Sequence, residues 1–149
     1  LRRTGLVERA RPFLRALMED TGETANLGIA RGESVLFVSQ VETDASIRAF
    51  FPPGTLSPMH ASGIGKALLA QMDDNRFDRW FRDHPPQRFT DYTLLDRDAL
   101  TDALSEIRHR GFSVDAEEID RIKKRQKDDR TSIIKEKSQI ELELSKARA

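Results

Sequence analysis

Pro58-Met59-His60-Ala61-Ser62-Gly63-Ile64-Gly65-Lys66 is the stretch on which the reading turns. Ser62 is a favoured N-cap residue, and the run from Gly63 through Lys66 to Met72 predicts a helix behind it. The first amide groups of a helix have no acceptor within it, and they sit at the positive end of the macrodipole. Such an end accommodates a carboxylate or phosphate. Gly63 and Gly65 place no side chain in the first turn, so a small organic acid is expected to approach the backbone closely. Glycines at a helix start also serve tight packing, and the residues alone leave both uses open. A phosphate-binding P-loop is rejected, because it needs glycine where His60 stands and serine or threonine where Ala67 stands.

Working outward, the chain alternates local patterns. Leu6, Ala10, Phe13, Leu14 and Leu17 recur at helical spacing and predict one apolar stripe, with Pro12 starting or kinking the helix and Gly22 stopping it. Ala25, Leu27 and Ile29 alternate, Arg31 to Ser34 supplies a turn, and Val35 to Val41 is rich in β-branched and aromatic residues, which predicts a hairpin. Ser46 to Phe51 reads as a further strand, stopped by Pro52-Pro53-Gly54. Beyond the Ser62 helix, Phe77, Trp80 and Phe81 mark a short helix and are expected in the core. Asp96 caps a longer one with Leu100, Ala103, Leu104 and Ile107 on its apolar face and Gly111 at its end. Phe112 to Val114 is expected to begin a strand. Strands on both sides of a helical block predict an α+β sheet with helices packed on one face.

The 149 residues suit one modest core, and 34% of them are charged. No apolar run approaches the roughly 18 residues of a membrane span, and no secretory signal pattern occurs. With no cysteine, disulfides, thiolate zinc sites and a cysteine nucleophile are excluded, and a cytoplasmic location is expected. His60, His84 and His109 are too scattered for a helix-borne metal pair, so no metal or other cofactor is expected. His60 reads as a structural residue beside the glycine turn. No Gly-x-Ser-x-Gly elbow is present, and the carboxylate pairs Asp73-Asp74 and Glu117-Glu118 are adjacent and so point apart. The chain is not expected to be an enzyme, and no catalytic residue is assigned.

Three motifs in order resemble one family. Thr21-Gly22-Glu23-Thr24-Ala25-Asn26-Leu27, then Met59 through Ala70, then Glu106-Ile107-Arg108-His109-Arg110-Gly111-Phe112-Ser113-Val114-Asp115-Ala116-Glu117-Glu118, look like the effector domain of IclR-type bacterial transcription regulators. The resemblance spans residues 6–120. It implies a GAF-like antiparallel sheet with helices on it, binding a small carboxylate such as an α-keto acid. Residues 1–22 resemble the end of the family's linker helix, and 23–120 a partial effector-binding domain. By motif match, the ligand contacts fall on Ser62, on the backbone of Gly63 and Ile64, and on Asp115, with Ser46 and Ala49 on one wall. Asp115 would accept a hydrogen bond from a hydroxyl or hydrated ligand; without the match it reads as a turn residue. The small residues on the Ser46–Ala49 wall imply an effector that differs in size or polarity from glyoxylate. A homo-oligomer, a dimer, is expected to modulate a repressor's DNA binding through a winged helix that this chain does not carry.

Past Asp120 the resemblance stops. Residues 1–120 carry 14 arginines and one lysine, Lys66, while residues 121–149 carry 6 lysines and 4 arginines, and the charge balance swings from negative to positive. This reads as an unrelated charged tail, helical or disordered, joined by fusion, frameshift or design. Ile119, Ile122, Ile133, Ile140 and Ala147 share a heptad seam, but Gln126, Asp129, Glu136 and Glu143 interrupt it. Without the family's later strands, the sheet is expected to be incomplete. The alternatives are then a dimerising interaction fragment that senses nothing, or an inert domain whose basic run at 121–130 touches nucleic acid.

Overall fold

The computed structural model describes residues 4–43, 51–116 and 118. The expected strand from Ser46, the wall residues Ser46 and Ala49, and the tail 121–149 lie outside the described residues.

Helix α1 (Thr4–Thr21) forms where the apolar stripe predicts it and passes through Pro12 without ending. Gly22 terminates it with a positive φ of 72°, its amide bonding the Met18 carbonyl at 2.8 Å. The hairpin follows as β1 (Ala25–Arg31) and β2 (Ser34–Val41), paired antiparallel. Helix α1 packs on both strands and buries Leu14, yet Leu6, Phe13 and Leu17 of the same stripe are exposed.

The alternation read from Ala25, Leu27 and Ile29 does not run through β1. Leu27 pairs with Ser39 but Gly28 pairs with Phe37, so the register slips by one residue there. A slip of one exchanges the two faces of a strand. Gly28 therefore faces inward, where an added Cβ would lie 2.6 Å from Val35 Cγ1 and 3.1 Å from Ile64 Cγ2.

A short strand that the sequence did not announce, β3 (Leu56–Pro58), pairs with the start of β2 through Ser57 and Val35. Pro52 to Gly54 turns the chain into it, and Gly54 donates back to the Phe37 carbonyl at 2.8 Å. The sheet order is β1-β2-β3. One 3-10 turn (Met59–Ala61) then leads into α2 (Gly63–Ala70), which stops two residues short of the expected Met72. Helix α3 (Asp74–Asp83) is capped by Asp73, and α4 (Arg97–Arg110) by Asp96.

Phe112 to Val114 is not a strand, contrary to expectation. Both residues are largely exposed, and the Val114 carbonyl meets a side chain, Lys66, instead of a neighbouring strand.

The core lies between sheet and helices. Val35 and Phe37 of β2 meet Met59, Leu69 of α2, Phe77 and Trp80 of α3, and Leu100, Leu104 and Ile107 of α4. Fully burying each such side chain contributes roughly 1.5–3 kcal/mol, which is why the short helix α2 persists at only eight residues.

Candidate functional site

Ser62 organises the start of α2. Its Oγ accepts from the Gly65 amide at 3.2 Å and donates to the Pro58 carbonyl at 2.9 Å, while its own carbonyl accepts from the Lys66 amide. The Gly65 amide, one of the orphan donors of the first turn, is thereby satisfied, and the Lys66 amide makes the first regular bond of the helix. The amides of Gly63 and Ile64 find no acceptor among the described residues, and both residues are half-buried. These are the groups in which a helix end attracts an anion.

The two glycines do different things. A Cβ on Gly65 would overlap the Met59 carbonyl oxygen and Cα and lie 2.6 Å from its carbonyl carbon. Its bareness lets α2 press against the preceding turn, so the expectation that it clears a path for a ligand is corrected. Gly63 is roomier: a Cβ there would sit 3.6 Å from the Asp115 amide nitrogen and 3.8 Å from the Asp115 Cβ, ordinary contact distances. Thus Asp115, far along the sequence, adjoins Gly63, which Ser62 and Ile64 flank. The Ile64 side chain covers Gly28 of β1.

Two residues that the sequence reading missed stand behind this turn. Lys66 is 5% exposed, its Nζ donating to the Val114 carbonyl at 2.7 Å and pairing with the Glu118 carboxylate. Glu118 is equally buried, accepts from the Ala116 amide through its other oxygen, and accepts at its carbonyl from the Thr93 hydroxyl at 2.7 Å. The available signal was compositional, a single lysine among 14 arginines in the first 120 residues.

His60 is buried beside the turn, as expected of a structural residue. Its Nε2 lies 2.9 Å from the Gln87 carbonyl, its ring stacks on Phe89, and burial pushes its pKa below the ordinary 6.5. Among the described residues no group of three or more His, Cys, Asp or Glu gathers as metal ligands would, and no helix is long and apolar enough to cross a membrane.

Residues 1–121 match the family described as bacterial transcriptional regulator IclR, C-terminal. The chain belongs to the IclR family. It is 61% identical over 118 residues to the HTH-type transcriptional regulator BhcR of Paracoccus denitrificans, covering 79% of this chain and 42% of BhcR. It is 38% identical over 109 residues to the HTH-type transcriptional repressor AllR of Escherichia coli K12, covering 73% of this chain and 40% of AllR. The crystal structure of the Thermotoga maritima IclR superposes with a TM-score of 0.73 at 27% identity, covering 78% of this chain and 47% of that one. The chain spans less than half the length of these relatives. Its α+β arrangement is the GAF-like fold of IclR effector-binding domains, and the family comprises transcription regulators, not enzymes.

Proposed function

We propose that this IclR domain binds a small organic acid, of the α-keto acid kind, at the start of α2. The amides of Gly63 and Ile64 hold its carboxylate, Ser62 keeps the turn in shape, and Asp115 accepts from a hydroxyl of the ligand. Ser46 and Ala49 belong to the same proposal as one wall. The observation that carries it is the pair of Gly63 and Ile64 amides, half-buried and without an acceptor among the described residues. A hydrogen bond to an ionised partner contributes about 1.5–3 kcal/mol, so two of them suffice for a measurable preference for anions.

In a complete regulator, the domain works as a dimer in the cytoplasm. The acid shifts the balance between two arrangements of that dimer, and with it the DNA affinity of an attached winged helix. The reading in which the fragment only associates with partners draws on the exposed Leu6, Phe13 and Leu17 of α1.

Calorimetric titration with glyoxylate and pyruvate separates the two. Binding that weakens at least tenfold in Gly63→Val, with the thermal transition retained, supports the acid site. Binding that Gly63→Val leaves unchanged places the ligand elsewhere, and no binding of any small acid removes the sensing reading.

A further inference from the structure

Lys66 lies in the first half of α2, and a buried lysine so near an anion-attracting helix end invites a simple role: its ammonium would meet the effector's carboxylate. Its partners point elsewhere. Nζ is occupied by the Val114 carbonyl and the Glu118 carboxylate, and the two side chains are 6% and 4% exposed. A charge so paired has little attraction left for a second anion.

What the pair does hold is a stretch of chain. Residues 112–116 belong to no helix or strand, so no backbone ladder fixes them. At one end they leave the α4 terminus through Gly111, whose φ is 84°. At the other, Glu118 is fastened from two directions. Lys66 takes its carboxylate, and the Thr93 hydroxyl takes its carbonyl while accepting from the amides of Phe89 and Thr90 at 3.0 and 2.9 Å. Between these anchors lie Val114 and Asp115, the residues that face the bare position of Gly63.

We propose that Lys66 and Glu118 are positioning residues, a buried latch that sets effector affinity by holding Val114 and Asp115 against the start of α2. Neither side chain touches the acid. The proposal rests on the reading that the acid binds at Gly63 and Ile64. It differs sharply from the direct-contact role in what Glu118→Gln does. If Lys66 were the anion's counter-charge, freeing its ammonium would strengthen binding. If it is a latch, the same change weakens binding, because the segment loses its anchor while the amides stay in place.

The test uses the full chain and its Glu118→Gln, Lys66→Met and doubly substituted forms. Titration with glyoxylate and pyruvate is expected to show a tenfold or greater loss of affinity in each single variant. Amide hydrogen exchange without ligand is expected to speed up at 113–118 and stay slow within α2. Each single change strands one buried charge, so the double variant, which strands none, is expected to be no worse than either. If a single variant does not fold, the double variant carries the same two measurements. Tighter or unchanged binding in Glu118→Gln, with exchange at 113–118 unaltered, overturns the latch. Failure of the unaltered chain to bind either acid counts against the acid site instead. The exchange measurement then decides alone: faster exchange in Glu118→Gln supports the latch, and unchanged exchange sinks it.

Discussion

Replacing Gly65 by alanine drives a methyl group into the backbone of Met59, which has no side-chain freedom with which to yield. The expected cost is about 3 kcal/mol, at the upper end of ordinary overpacking. Gly63→Ala meets only ordinary contact distances and is expected to change stability by less than about 0.5 kcal/mol. Urea denaturation of the two variants checks the contrast, and equal effects would contradict it. His60 supplies a second residue-level outcome. Its folded pKa lies below 6.5, so between that value and 6.5 the unfolded chain holds more protons, and stability falls as pH drops through this window. Denaturation at about pH 7.5 and about pH 5.5 should show a drop that shrinks in His60→Gln. Ser62 was legible as a cap because capping is a local act with a short list of suitable residues. The uses of Gly65 and Lys66 were not, since each depends on something that local pattern does not encode, Met59 pressed close or Glu118 brought back from 52 residues away.

At the scale of elements, helices whose ends are marked by side chains were the easiest to read. Asp96 caps α4 by accepting from the Asp98 and Ala99 amides, both at 3.0 Å, and Gly111 closes it in the left-handed region. Asp96→Ala and Gly111→Ala are each expected to cost about 1 kcal/mol, read as a lower urea midpoint at constant slope. β3 escaped notice because three residues ending in proline carry no periodicity, and only its pairing with β2 makes it a strand. The segment after Gly111 misled in the opposite sense. Phe112 and Val114 have strand-forming side chains, but the Val114 carbonyl bonds Lys66, and propensity yielded to that contact.

Across the whole molecule, the predicted stripe of α1 is only half used. Leu14 is buried, whereas Phe13 is 78% and Leu17 54% exposed. For the dimer proposed above, these residues are the expected contact with a second copy of the chain. Phe13→Ser with Leu17→Ser is then expected to shift sedimentation from dimer to monomer while leaving the urea midpoint of the monomer nearly unchanged. An unaltered sedimentation profile would remove α1 from the contact. The fold class was readable because three motifs with fixed order fall on elements whose periodicities agree with them. The chemical identity of the effector was not, because a helix end reports charge and size and little else.

The slipped pairing between Leu27 and Gly28 also bears on how this domain can diverge. Deleting Val38, the β2 residue that the pairing skips, would restore regular pairing and set Phe37 and Ser39 on opposite faces, drawing one of them out of the buried side. The tip of the hairpin is not free to lengthen either, because the Gly32 carbonyl accepts from the Trp80 indole at 3.4 Å and the Glu33 carbonyl from the Met59 amide at 2.9 Å. Descendants of this domain should therefore accept few changes of length either at the hairpin tip or across the slip.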